Sequence, residues 1–162
     1  MFVKVSIIMS CYNSQATIGQ SIESILNQSY ENFELLICND GSIDGTFREI
    51  EKYSKADKRI SIFKNEKNIG LTKSLNLLIN KSDGEFIARQ DDDDISLSHR
   101  IETQIKVIKD LNLDFATSRA IILGTDKLIP GLSFNLPVSF VMNFKNPFIH
   151  GTLLIKKKIL ND

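Results

Sequence analysis

The sequence has no tryptophan, only two cysteines and three prolines, and no surplus of either charge. Each shortage excludes something. Cys11 and Cys38 are too few to staple a small disulfide-rich scaffold, and each sits near the end of an apolar run, where a small uncharged thiol packs well. Buried free thiols are expected, and a reducing cytoplasm fits them. Twenty basic residues balance twenty acidic ones, so no global field draws the chain to nucleic acid or to an anionic membrane. No run approaches the roughly 20 apolar residues of a membrane-spanning helix. The opening Met1-Phe2-Val3-Lys4 is not a charged leader ahead of a long apolar stretch, so no signal peptide is expected. Internal repeats and low-complexity tracts are also missing. These absences predict a soluble, cytoplasmic domain.

What is present is alternation. At 162 residues, 42% of them hydrophobic, the chain suffices for one domain with its own core. Val3 to Met9, Phe33 to Cys38, Ile60 to Phe63 and Glu85 to Gln90 read as strands. Between them lie helical patterns: Ile18, Ile22, Ile25 and Leu26 within roughly Ser14 to Gln28, then Ile50 and Tyr53, then Leu71, Leu75, Leu78 and Ile79. Ile101, Ile105 and Ile108 mark a fourth helix. Thr46 followed by Glu49 matches a capping box. Such a βαβαβαβα order predicts an α/β fold with a mostly parallel open sheet flanked by helices, because parallel strands need crossovers. Beyond residue 112 the pattern changes. Phe115 to Leu123 and Lys127 to Ile129 read as strands around Gly124-Thr125-Asp126, Pro130, Pro137 and Pro147 interrupt the next stretch, and Thr152 to Ile155 reads as a last strand. The chain thus divides into an α/β half over 1–110 and a second segment over 111–162, within one compact domain.

In open α/β sheets ligands bind where loops leave the carboxyl ends of the strands. Those loops hold Ser10-Cys11-Tyr12-Asn13, Asn39-Asp40-Gly41-Ser42, Asn65 to Gly70, and Asp91-Asp92-Asp93-Asp94. Four consecutive carboxylates repel one another, and a cation would relieve the repulsion. On extended backbone Asp91 and Asp93 would share one side. Oxygen ligands on a short loop suit magnesium or manganese, and magnesium is usually held by one or two carboxylates plus substrate phosphates. A solvated acidic turn is the plain alternative. Asp40 to Glu51 also approaches a calcium-loop pattern, but an EF-hand needs a helix where Phe33 to Cys38 reads as a strand. No G-x-G-x-x-G follows the first strand, against a dinucleotide enzyme.

Taken in order, Ser6 to Asn13, Ser24 to Tyr30, Phe33 to Ile37, Asn39 to Thr46, Asn68 to Leu71, Ser74 to Asn76, Gly84 to Ser96 and Arg100 to Gln104 resemble the family 2 glycosyltransferases. Asn146 to Thr152 is a looser fit. The resemblance covers nearly the whole chain. It implies the glycosyltransferase type-A fold and transfer of a sugar, with inversion, from a nucleotide-diphosphate sugar such as a UDP-sugar. The acceptor would be a saccharide or a lipid-linked saccharide, as in cell-surface polysaccharide assembly, which makes peripheral association with the inner face of the membrane plausible. By motif, Ser10, Tyr12, Asn13, Asp40, Asp91 and Asp92 would meet the nucleotide. Asp91 and Asp93 occupy the outer positions of the family's DXD motif, with Asp93 the metal ligand for manganese or magnesium and Asp91 touching ribose or metal.

The sequence departs from the family pattern in two places. Asn39 stands where many relatives carry Asp, which keeps a hydrogen-bonding carbonyl and loses a charge. The base that inversion requires lies, in the family, beyond the segment resembling Gly151 to Lys157. The chain stops at Asp162, a poor candidate for that role. A donor-binding fragment without transferase activity is therefore the rival expectation. Lys73 admits a phosphate contact or a solvated helix face, His150 a place near the sugar or a loop hydrogen bond. His99 is expected to be structural, and Phe134, Phe140, Phe144 and Phe148 to pack the second segment, with exposure of some of them the alternative in a fragment.

Overall fold

Continuous apolar runs suit strands covered on both faces, and β1 (Val5–Cys11) is buried at every position. In the computed structural model, which describes residues 3–144 and 146–160, β1 lies between β2 (Phe33–Asp40) and β4 (Phe86–Arg89), parallel to both. β3 (Ile60–Asn65) extends the sheet beyond β2, again in parallel. Four helices follow these strands in turn: α1 (Ile18–Leu26), α2 (Thr46–Ala56), α3 (Leu71–Lys81) and α4 (Arg100–Asp110). Two short strands complete the sheet beyond β4. β8 (Leu154–Lys156) pairs antiparallel with β4, and β5 (Phe115–Ala116) pairs antiparallel with β8, giving the order β3-β2-β1-β4-β8-β5.

Alternation along the strands sorts the core into two clusters. Val5, Ile7, Met9 and Cys11 face α1, α2 and α4 through Ile18, Ile22, Ile25, Ile50, Ile101, Ile105 and Ile108. Ile8, Leu36, Cys38 and Ile87 face Leu78 of α3 and Ile155 of β8. The two cysteines are buried and free, as expected. They sit on neighbouring strands but point to opposite faces of the sheet.

Four local expectations need correction. α1 starts at Ile18 rather than near Ser14, because the Ser14 carbonyl first closes a turn, accepting from the N–H groups of Thr17 and Ile18. The capping box at Thr46 does not form. Gly45 is the N-cap residue, and the Thr46 N–H donates to Asp44 Oδ1 at 3.0 Å, while Glu49 pairs with Lys52. The charged acceptor of Asp44 captures the N–H that the capping box would have used. The single strand expected over 115–123 is broken. After β5, Ser118 N–H bonds to the Thr152 hydroxyl at 3.0 Å, the chain leaves the sheet, and β6 (Ala120–Ile121) instead pairs with β7 (Leu128–Ile129) in a separate hairpin. Finally, Phe134, Phe140 and Phe144 around the short α5 (Val138–Val141) do not pack inside. All three are exposed: Phe140 and Phe144 meet each other, ring centroids 5.3 Å apart, and Phe134 lies under the Arg119 guanidinium at 4.8 Å, while Phe148 packs on Phe115 edge to face at 5.7 Å.

Candidate active site

The loops at the carboxyl ends of β1, β2 and β3 are laced together by their own polar groups. Asn13, held at φ 53°, donates its N–H to Ser42 Oγ at 3.0 Å and accepts the Ile43 N–H at 3.0 Å through Oδ1. Asn39 is fully buried and its Oδ1 accepts the Ser42 N–H. Gly41 has φ +72°, and a Cβ there would lie 2.5 Å from the Lys67 carbonyl carbon. Only glycine lets the β2 loop close against the β3 loop in that conformation.

Asp40, 2% exposed, is the knot of this lacing. Its Oδ1 accepts from Asn65 Nδ2 at 2.8 Å and Ile69 N–H at 3.0 Å, and its Oδ2 accepts from Gly70 N–H at 2.9 Å. Burial alone would raise the Asp40 pKa. The bonds from Ile69, Asn65, Gly70 and Ser74 outweigh it and hold the carboxyl below its ordinary range.

Between these loops opens a cleft of about 280 Å³, lined by Ser10, Cys11, Tyr12, Asp40, Asn68, Leu71 and Asp92. Four of the residues assigned to the nucleotide, Ser10, Tyr12, Asp40 and Asp92, are therefore brought together. Asn13 and Asp91 are not on its lining. Lys73 is exposed on α3. His99 stands at the N-cap position of α4 without a capping side-chain bond, its Nδ1 3.1 Å from Ser29 Oγ. His150 bonds Asn146 through Nε2 at 2.7 Å. Asp162 lies outside the described residues. Asn68 and Leu71 carried no assigned role, although their place after β3 in an open sheet was itself the signal. A second cleft, about 240 Å³ between α3 and β8, is walled largely by aliphatic side chains such as Leu75, Ile79 and Leu153.

The acidic quartet is not extended. Asp92 and Asp93 form a turn, closed by the Asp94 N–H donating to the Asp91 carbonyl at 3.3 Å, so the alternation that would put Asp91 and Asp93 on one side does not apply. Instead Asp91 Oδ2 and Asp94 Oδ2 both approach the space that a Cβ on Gly151 would occupy. Burial raises the Asp92 pKa, reinforced by Asp93, and burial raises that of Asp94, reinforced by Asp91 and Asp93. Two arginines answer these charges. Arg89 Nε donates to Asp91 Oδ1 at 2.8 Å. Arg100 is pushed down to about 10 by burial while Asp94 and Asp91 resist the shift, so it stays cationic at neutral pH. Among the described residues no three His, Cys, Asp or Glu side chains form a ready-made metal cage. Crowded carboxylates on a turn beside a cleft nevertheless fit a hard cation that takes its remaining ligands from phosphate and water.

A strand-edge cleft with a bordering acidic turn, on an α/β sheet that ends in antiparallel return strands, is distinctive, and the sequence model described as Glycosyl transferase family 2 matches residues 6–158. The chain belongs to that family. A glucosyltransferase of Escherichia coli, UDP-Glc:alpha-D-GlcNAc-diphosphoundecaprenol beta-1,3-glucosyltransferase WfgD, is 37% identical over 158 residues, covering 97% of this chain and 62% of its own. Among solved structures, TarS 1–349 of S. aureus in complex with UDP-GlcNAc superposes with a TM-score of 0.82 at 24% identity, over 98% of this chain and 47% of that one. The mannosyltransferase PcManGT of Pyrobaculum calidifontis, in complex with GDP-Man and Mn2+, gives 0.79 at 20% identity, over 97% and 45%. These likenesses establish the type-A glycosyltransferase fold. The chain spans less than two thirds of the length of the relatives it matches.

Proposed function

We propose that this family 2 chain binds a nucleotide-diphosphate sugar, a UDP-sugar first among the candidates, and serves its transfer with inversion to a saccharide or lipid-linked acceptor. The observation that carries the reading is the cleft in which Ser10, Tyr12, Asp40 and Asp92 converge beside the acidic turn. Its size and polar floor suit a nucleoside. Ser10 and Tyr12 offer hydroxyls, while Asp40, already committed to three donors of the 65–70 loop, shapes the floor and presents its remaining acceptor capacity to a base or ribose. Residues 1–110 form the donor half in this reading, and the segment from 111 begins the acceptor side.

Asp93 and Asp91 would hold a divalent ion, manganese or magnesium, with Asp94 close enough to share its field. Such an ion, when bound, neutralises the diphosphate and stabilises the charge that develops as it leaves. Inversion also needs a base for the acceptor hydroxyl, and no residue lining the cleft is proposed for it. The E. coli relative is named for a diphosphoundecaprenol-linked acceptor. A lipid-linked acceptor would bring this chain to the cytoplasmic face of a membrane as a peripheral protein; among the described residues no helix is long and apolar enough to cross one.

Calorimetry of UDP binding, with and without manganese, tests the reading. Binding should tighten with the metal, and Asp93→Ala should remove that enhancement. Absence of UDP, GDP and dTDP binding under every metal condition would refute it.

A further inference from the structure

The acidic turn is gripped from two sides by uncharged groups. Behind it lies Gln90, 1% exposed. Its Nε2 donates to the carbonyls at both ends of the turn, Asp91 at 3.2 Å and Asp94 at 2.8 Å. Its Oε1 accepts from the Ser96 hydroxyl at 2.7 Å and Arg100 Nη2 at 3.2 Å. In front lies the short helical turn His150–Thr152. A Cβ on Gly151 would lie 2.7 Å from Asp94 Oδ2 and 2.9 Å from Asp91 Oδ2, closer than carbon and oxygen can pack.

Neither side has room to retreat. Gln104, 4% exposed, donates to the Thr152 carbonyl at 2.7 Å. The Thr152 hydroxyl accepts the Ser118 N–H at 3.0 Å, and its one proton has the Ile149 and Ser118 carbonyls as acceptors at 2.9 and 3.1 Å. On the other side, Arg89 holds Asp91 by its second oxygen at 2.8 Å.

We propose that Gly151 is a positioning residue for the acidic turn. Its bare Cα, pressed forward by the turn that Gln104 anchors, sets the orientation in which Asp91 and Asp94 border the cation site. The inference rests on the metal-dependent nucleotide binding proposed above. A methyl group at Gly151 would force the carboxylates apart or break the Arg89 pair. Gln104→Leu would unfasten the same turn without touching either carboxylate.

The test measures the factor by which manganese raises UDP affinity, together with direct Mn2+ binding read from water-proton relaxation, which needs no nucleotide. Folding of each variant is checked by circular dichroism. Gly151→Ala is expected to cut the manganese factor at least tenfold and to weaken Mn2+ binding in parallel. Gln104→Leu should act in the same direction, and it carries the test if Gly151→Ala does not fold. Gly131→Ala, at a glycine whose nearest neighbour to an added Cβ is 4.0 Å away, should leave the factor intact. A general loss of stability would lower the melting temperature of a folded variant but not this factor. Factors within twofold of the native value in the folded variants overturn the proposal and leave the donor site standing. A native chain that binds UDP without any manganese effect overturns the metal reading and this inference together. A native chain that binds no nucleotide overturns the functional reading itself.

Discussion

Asp40 stands at the end of β2 with a carboxylate that answers three donors. Asparagine has one acceptor oxygen, so Asp40→Asn would turn an amide N–H toward either the Gly70 N–H or the pair from Asn65 and Ile69. A buried donor facing a donor costs about 1–3 kcal/mol, and urea denaturation at pH 7 should read a loss of that order. The pH dependence has its origin in the same bonds. A carboxyl whose folded pKa lies below its unfolded value, near 4, contributes stability that is fully present above about pH 4. That contribution is lost as pH falls through the folded pKa. Native protein should therefore lose stability on acidification below about pH 4 more steeply than Asp40→Asn, which has no carboxylate to protonate there. Equal acid slopes in the two proteins would show that Asp40 does not draw stability from its charge.

At the scale of elements, buried glutamines stand in for backbone where helices and turns meet. Gln28, just past α1, donates to the Leu97 carbonyl at 2.8 Å and accepts the Ile101 N–H at 3.1 Å, tying the end of α1 to the first turn of α4. Gln28→Leu keeps the volume and takes the amide partner from one donor, the Ile101 N–H, and from two acceptors, the Leu97 and Ser24 carbonyls. The urea midpoint should drop by the equivalent of about 1–3 kcal/mol with the slope unchanged. A changed slope would mean instead that the two helices no longer unfold with the sheet. Much of this level was legible in advance. The four parallel strands and their helices appear where hydrophobic period placed them, because a strand buried on both faces and a helix with one apolar stripe leave different marks. The glutamines were not read, yet their position announced them. Gln104 falls on the stripe of Ile101, Ile105 and Ile108, and Gln28 continues that of Ile22 and Ile25, so each had to be buried with its amide satisfied. The acidic quartet was found, but its geometry was not. Four identical side chains say nothing about whether the backbone beneath them is extended or turned, and the Gln90 clasp decides that.

For the molecule as a whole, legibility fades after α4. Apolar composition predicts that a residue prefers burial, without naming what buries it. Phe134, Phe140 and Phe144 were expected to pack the second segment, yet Phe140 and Phe144 pair on its surface, Phe144 is 76% exposed and Leu123, at the tip of the β6–β7 connection, 80%. The first 110 residues differ because each apolar face there meets another within the same sheet-and-helix layers, a partnership that element order already implies.

The sheet that separates the two halves of the core also separates the two thiols. Cys11 forms part of the cleft wall, Cys38 belongs to the opposite face, and burial pushes both above the ordinary thiol range, so neither reacts quickly unless its surroundings open. The molecule thus carries a footprinting reporter and its own internal reference. With a slow alkylating reagent and mass-spectrometric readout, UDP should shield Cys11 strongly while changing the rate at Cys38 far less. Equal protection of both would mean that the nucleotide stiffens the whole sheet instead of covering one wall, and protection of neither would mean that it sits elsewhere.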